Sequence, residues 1–127
     1  MGHDIKINYK WHSLPVFDVI GEWTYELLAE KQDRLHITHN LAPIIYGAIE
    51  DLNLWIDNFW AFLHEKKCAD VIETLEKMYK HIKKNKKKFE PMQPDNWRWT
   101  YDWLVKKLKA LIDACKEYPE CDIYDWY

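Results

Sequence analysis

The sequence predicts an α+β fold in which a small N-terminal antiparallel β-sheet packs against three to four α-helices. Two patterns lead to this prediction. Before residue 39, apolar and polar residues alternate with the period of two that marks half-buried strands. From Asn40 onward, apolar residues recur at every third or fourth position, which is the spacing of amphipathic helices. The length of 127 residues suits a single domain, with strands mainly in 1–39, helices in 40–118 and an acidic, aromatic tail in 119–127.

The strands are predicted from two alternating segments, residues 4–9 and 34–38. In the first, Ile5, Ile7 and Tyr9 share one face, which we expect to be buried. Residues 16–20 predict a shorter strand between these two. The following residues, 22–31, fit a helix as well as a strand, so both alternatives stay open there.

The first helix is predicted to begin at Asn40. An asparagine side chain can accept a hydrogen bond from a backbone N–H group of the first turn, and Pro43 fits the start of a helix because it lacks an N–H. The apolar spacing continues to about Glu50. A turn or a strand-like connection should follow, and then a short helix near residues 59–66.

Two longer helices complete the prediction. An apolar stripe over residues 71–82 indicates the first of them. Two prolines within residues 89–94 indicate a loop. The last helix should have Asp95 or Asn96 as its N-cap and end before Pro119. We expect the aromatic tail beyond it to dock on the domain rather than to stay free.

Composition argues against a membrane protein. No apolar run approaches the roughly 18 residues of a membrane span, and the N-terminus carries no apolar signal core. The cysteines, Cys68, Cys115 and Cys121, are odd in number and lack a paired spacing, which favours reduced thiols. We therefore expect a cytoplasmic protein without a membrane partner.

The net charge of −3 conceals an asymmetry, because residues 77–88 hold seven lysines and no acidic residue. Such a run is either an anion-facing patch or the solvated end of a helix. The chain is acidic overall and the run contains no arginine. We therefore do not expect binding to duplex nucleic acid.

Polar side chains are concentrated where the second alternating segment gives way to the first helix. Thr38, His39 and Asn40 stand at this junction. Backbone N–H groups at a helix N-terminus favour anions, and these three side chains could hold a phosphate, a carboxylate or a nucleobase edge. In the simpler alternative, Asn40 caps the helix, Thr38 bonds across the sheet and His39 lies on the surface.

Metal binding and catalysis have weaker support. His36, His39 and His64 are the candidate metal ligands. No carboxylate is interleaved as in His-Glu-x-x-His, and the chain contains no Cys-x-x-Cys pair. Ser13 is the only serine and lacks a Gly-x-Ser-x-Gly setting, and there is no glycine-rich phosphate loop. We expect no metal, no cofactor and no enzyme activity.

Three stretches carry a resemblance. Residues 37–43 read Ile-Thr-His-Asn-Leu-Ala-Pro, residues 94–101 contain Pro-Asp-Asn-Trp followed by Thr-Tyr, and residues 111–119 read Leu-Ile-Asp-Ala-Cys-Lys-Glu-Tyr-Pro. They resemble the Ile-Thr-Tyr-Asn-x-Ala/Ser-Pro, Pro-x-Asn-Gly-Trp-Gly-x-Tyr and Leu-x-x-Ala-Cys-x-x-x-Pro elements of a family of small uncharacterised proteins common in tailed phages and their bacterial hosts. In this chain His39 replaces the commoner tyrosine, and Arg98 stands in place of a glycine. The resemblance implies a phage origin more than a mechanism.

We favour a non-enzymatic, phage-type binding protein that sequesters a small, nucleotide-like anionic ligand. By association, the phage origin suggests an anti-defence role in the cytoplasm of the host cell. The candidate ligand contacts are polar or aromatic residues at the junction and in the second resembling stretch. They are Thr38, His39, Asn40, Asn96, Trp97, Arg98 and Tyr101.

Two other functions stay open. Aromatic residues make up 16% of the chain, and aromatics are enriched at protein interfaces. The protein could therefore inhibit a host protein or form a structural homo-oligomer through an aromatic surface. The third hypothesis is a metal-dependent enzyme that uses His36 and His39, with His64 as a further ligand.

Overall fold

The computed structural model describes residues 2–10, 12–17, 32–94 and 100–126. The strands in these ranges are β1 (Gly2–Tyr9), β2 (His12–Ser13), β3 (Leu35–Thr38) and β4 (Asp122–Trp126). The helices are α1 (Ala42–Asp51), α2 (Phe59–Leu63), α3 (Cys68–Lys84), α4 (Lys86–Phe89) and α5 (Tyr101–Glu117). Short 3-10 turns cover His39–Leu41 and Glu90–Met92. The predicted α+β class is confirmed.

Strand β1 is the centre of the antiparallel sheet and pairs with the other three strands. Asp4 is opposite both His36 of β3 and Trp126 of β4, so β3 and β4 lie on opposite sides of β1. Asn8 is opposite both Ser13 and Asp122, which places β2 on the same side as β3. The aromatic tail is therefore docked as a strand of the sheet.

One face of β1 is buried. His3, Ile5 and Ile7 alternate with half-buried residues and point toward the helices. Tyr9, which we expected on the buried face, is 57% exposed and follows the last residue that pairs with β4. The prediction that Tyr9 is buried was wrong because the buried face of β1 ends at Ile7. Of the predicted strand 16–20, Phe17 bridges to Gln32, and residues 18–31 lie outside the described ranges.

Both predicted N-caps differ from the structure. Asn40 lies exposed within the 3-10 turn, Thr38 is the residue that precedes this turn, and α1 begins only at Ala42. The extra turn moves the helix start two residues beyond the asparagine. At α5, Thr100 is the N-cap, and its Oγ1 accepts a hydrogen bond of 3.3 Å from the Trp103 N–H. Asp95 lies before this helix, outside the described residues.

The core lies between the sheet and the helices, and α3 and α5 pack closely within it. The apolar faces of these two helices are buried as their spacing predicts. Cys68, Cys115 and Cys121 are buried free thiols near the start of α3. A hydrogen bond between two of these thiols lowers the pKa of Cys68 and, together with burial, raises the pKa of Cys115. In the described part of the chain, no helix is long and apolar enough to cross a membrane.

One charged side chain, Lys107 of α5, is buried among the apolar residues. It is 3% exposed, and its Nζ donates a hydrogen bond of 2.5 Å to the backbone carbonyl of His36 in β3. Burial lowers the pKa of Lys107 to about 8, and the negative charge of Asp4 partly offsets this effect. Lys107 therefore links α5 to β3. Its burial also has a cost, because the charged form of Lys107 is more stable in the unfolded chain than in the folded protein.

This burial predicts a pH dependence of stability. Between pH 8 and pH 10.5, the unfolded chain holds a proton on Lys107 that the folded protein has lost, so stability should rise with pH. The free energy of unfolding should increase by up to about 3 kcal/mol relative to the Lys107→Met variant across this range. Urea denaturation of both proteins at several pH values measures the difference. If the difference in the free energy of unfolding between the two proteins stayed constant across this pH range, the lowered pKa of Lys107 would be contradicted.

Candidate functional site

A cavity of about 420 Å³ opens at the end of the sheet, beside α2. Three of its lining residues are histidines, and we call it the His pocket. The lining residues are His3, His39, Asn58, Trp60, Ala61, His64 and Asp125. They come from β1, the 3-10 turn before α1, α2 with its two flanking residues, and β4. The pocket therefore depends on both the first and the last described strands of the chain.

The innermost pair in the His pocket is His3 and Asp125. Asp125 is directly opposite Ile5 in the sheet register, so its side chain lies on the same buried face as His3. Nδ1 of His3 is 2.8 and 2.9 Å from the two carboxylate oxygens. Because an ionised carboxylate can only accept, Nδ1 carries the proton. This contact fixes the orientation of the imidazole ring.

Aromatic packing fixes the same ring on its face and edge. The rings of His3 and Trp60 are stacked, with centroids 4.1 Å apart and planes 9° apart. His39 meets His3 edge to face at 4.8 Å. Trp60 is only 6% exposed, so it forms a wall of the pocket rather than a free surface. His39, in contrast, is exposed, as is His64, so a ligand can reach both of these imidazoles directly.

His64 and Asn58 lie on the opposite rim. Nδ1 of His64 accepts a hydrogen bond of 3.0 Å from the Asp125 backbone N–H. In a neutral imidazole the proton must then lie on Nε2, which becomes a donor. The Asn58 Oδ1 caps α2 by accepting from the Ala61 N–H at 3.1 Å. With its oxygen engaged, the Asn58 amide presents N–H groups. The rim thus offers donors, as an anion or a carbonyl oxygen requires, and Nε2 of His64 also lies 3.6 Å from a Glu65 carboxylate oxygen.

The three predicted junction residues have different positions. His39 lines the His pocket. Thr38 is buried at the end of β3, and its Oγ1 has no hydrogen-bond partner among the residues that the structure describes. Asn40 is exposed on the 3-10 turn and is not among the described lining residues. On the 3-10 turn that displaces the start of α1, His39 therefore reaches the His pocket, whereas Asn40 is not one of its described lining residues.

The candidate metal ligands do not converge. His36 lies on the opposite face of the sheet from His3, and its Nδ1 is 2.7 Å from an Asp4 carboxylate oxygen. His39 and His64 both line the His pocket. Within residues 2–10, 12–17, 32–94 and 100–126, no group of three His, Cys, Asp or Glu side chains could hold a metal ion.

Of the predicted ligand contacts in the second resembling stretch, the structure describes only Tyr101, and Tyr101 does not line the His pocket. Asn96, Trp97 and Arg98 lie outside the described residues. Tyr101 is buried at the start of α5, and its hydroxyl donates a hydrogen bond of 2.7 Å to the Ile82 carbonyl of α3. Burial raises the pKa of Tyr101. The Tyr101 ring is therefore part of the helix packing and is not free to stack on a ligand.

Of the seven lining residues, sequence reasoning had singled out only His39 and His64 as site residues, and it missed His3, Asn58, Trp60, Ala61 and Asp125. A signal for His3 was present, since the alternation of Ile5 and Ile7 places position 3 on the same face. A buried histidine on that face needs a polar partner. The partner is 122 residues away along the chain, and no local pattern could identify it.

In comparisons with known proteins, no family model matches this chain, and no curated protein and no solved structure matches it significantly. The function is therefore inferred from the geometry of the described residues.

The buried His3–Asp125 contact predicts a clear difference between two aspartates of β4. Asp125→Asn should lower the free energy of unfolding by about 1–3 kcal/mol, because the variant cannot form this buried charge-assisted hydrogen bond. The matched control is Asp122→Asn, whose side chain forms an exposed ion pair of 3.4 Å with Lys67 in the described part of the chain. Its cost should stay below about 1 kcal/mol. Urea denaturation of both variants tests this. Equal losses of stability would show that the buried hydrogen bond to His3 stabilises the protein no more than the exposed ion pair does.

Proposed function

We propose that this protein is a non-enzymatic binding module that sequesters a small, nucleotide-like anionic ligand in the His pocket. One observation carries the proposal: the exposed His39 ring stands beside an immobilised His3–Trp60 stack, with amide and imidazole donors across the cavity. A rigid aromatic wall with a few placed donors is the usual composition of a small-molecule site.

The donors suit an anion or a polar heterocycle. His39, the Nε2 of His64 and the Asn58 amide can each donate to a phosphate oxygen or a base carbonyl. The negative charge of Asp125 is engaged by His3 at 2.8 Å. Because the His3–Asp125 pair is buried, we assign it to holding the wall rather than to moving protons.

The biological role that we propose comes from the resemblance of residues 35–119 to small proteins of tailed phages. A phage-encoded binding module in the host cytoplasm would act as an anti-defence protein by removing a nucleotide signal from its receptor. This role requires tight binding and release of the ligand unchanged. Neither a cofactor nor a catalytic residue is part of the proposal.

A screen of nucleotides and cyclic dinucleotides by thermal shift tests the proposal, followed by calorimetry on any compound that stabilises the protein. His39→Ala should weaken binding of that compound by about tenfold to a hundredfold, the effect of removing one hydrogen bond to a charged group. The ligand should be recovered chemically unchanged after incubation.

The matched control is His12→Ala, which removes an exposed histidine of β2 that does not line the pocket. This variant should bind like the wild type. The proposal fails if no nucleotide or cyclic dinucleotide stabilises the protein, or if the His39 and His12 variants bind equally well.

A second candidate function has its own observation. Trp55 is 99% exposed on the connection between α1 and α2, where Asn53 adopts a left-handed conformation with φ of 53°. A fully exposed tryptophan is typical of an anchor in a protein interface. Trp60 cannot serve this role because it is buried, whereas Trp126 is 57% exposed. A host protein or a second copy of this chain would be the partner.

Trp55→Ala should abolish such an interaction and leave the melting temperature unchanged, because the side chain has no packing to lose. Sedimentation velocity and pull-down from a host lysate measure the two kinds of partner. Tyr9→Ala, which also removes an exposed aromatic ring, is the control and should keep the interaction. A strictly monomeric wild type that captures nothing would eliminate this candidate.

A further inference from the structure

A second concavity, with a different chemistry, lies where α3 passes into α4. Asn85 separates the two helices and has φ of −108° and ψ of 45°, which is not helical. The interruption opens a cavity of about 660 Å³. We call it the lysine groove. Its described lining residues are Lys84, Asn85, Lys86, Lys87, Lys88 and Glu90.

Two of the four lysines in the groove are already engaged by carboxylates. Lys88 donates to both oxygens of Asp51 at 2.5 Å. Nε2 of His81 is 2.9 Å from the same carboxylate. The hydrogen bonds from His81 and Lys88 lower the pKa of Asp51, so its carboxylate stays ionised. Lys86 is 3.4 Å from Glu90, and this contact raises the pKa of Lys86.

The other two lysines have no such partner. Lys84 and Lys87 are exposed, and no carboxylate of the described residues forms a salt bridge with either. Lys83, beside them, lies over the Tyr79 ring at 5.6 Å rather than against a carboxylate. Among the residues that the structure describes, the groove therefore carries positive charge without a salt-bridge partner, in a protein whose net charge is −3.

The helix dipole explains only part of this charge. Cations in the last turn of a helix stabilise its negative end, and in α3 these are His81, Lys83 and Lys84. The three lysines of α4 lie beyond that end, on a helix of four residues. Lys87 lies in the last turn of this short helix, and no carboxylate of the described residues forms a salt bridge with it.

The groove and the His pocket are separate. The turn that carries His39 leads into the N-terminus of α1, whereas Asp51, which holds Lys88, is its last residue. The ten residues of α1 span about 15 Å. A single mononucleotide bound by His39 would not reach Lys87, so the two sites would take different ligands or different parts of a long one.

The chemistry of the groove indicates its ligand. Lysines provide mobile point charges rather than the planar fork of an arginine, and an open groove suits an extended chain. The neighbouring rings of Phe89 and Tyr101 are buried and offer no face for a base to stack on. We propose that the lysine groove binds a linear chain of phosphate groups, with Lys84 and Lys87 as its contacts.

Such a chain could be the backbone of a single-stranded nucleic acid or a free polyphosphate, and the test separates these sources. Fluorescence anisotropy with a labelled single-stranded oligothymidylate gives the first affinity, measured over a series of salt concentrations. Competition by long-chain inorganic polyphosphate gives the second. Binding of either probe that depends on the groove lysines supports the proposal, and the stronger probe names the source.

The decisive variant is Lys84→Glu combined with Lys87→Glu. It should lower affinity for the bound probe at least about tenfold. For the oligonucleotide, the slope of log affinity against log salt should become shallower by about 0.7 for each phosphate that a lysine no longer neutralises. The matched control is Lys66→Glu combined with Lys106→Glu. Both of these lysines are exposed and outside the groove, and the change in net charge is identical.

Two outcomes would overturn the proposal. The first is a wild type that binds neither probe at low salt. The second is an equal loss of affinity in the groove variant and the control, which would indicate attraction by overall charge alone. Circular dichroism of both double variants confirms that each remains folded. The result is independent of the His pocket, because neither variant changes a residue that lines it.

Discussion

The pairing of β1 with β4 is the interaction on which the rest of the structure depends. Strand β1 is the only described strand in contact with all three others, and β4 provides its longest register of five residue pairs. The pairing places Ile123 opposite Ile7, so that β4 extends the buried face of the sheet, and it places Asp125 within hydrogen-bond distance of His3. Without it, the sheet would lack its fourth strand and the His pocket would lack one of its walls. The candidate site is therefore a direct product of the sheet topology.

Local patterns in the sequence were sufficient for most of the helices and for β1 and β3. Apolar spacing predicted α3 and α5 because their buried faces repeat over 17 residues each. The caps were predicted less well. A preferred cap residue such as Asn40 indicates that a helix can begin there. In the structure, the chain first passes through a 3-10 turn in which Leu41 is buried.

The site was only partly predictable for a related reason. His39 could be found because it stands at a change of periodicity, and the structure places it in the His pocket. Its partners could not, because they meet it only through long-range pairing. The stack of His3 on Trp60 joins β1 to α2, and the hydrogen bond to Asp125 joins the first strand to the last described one. Pairwise contacts of this kind leave no periodic trace in a single sequence.

The long separation of His3 and Asp125 also has a kinetic consequence. A contact between residues 122 positions apart requires the closure of a very large loop, which is entropically costly and slows folding. During synthesis, β1 leaves the ribosome before β4 and cannot pair with it until β4 has also emerged. A nascent chain that ends before residue 122 lacks both the fourth strand and the partner of His3. The His pocket can therefore form only after translation has passed Asp125.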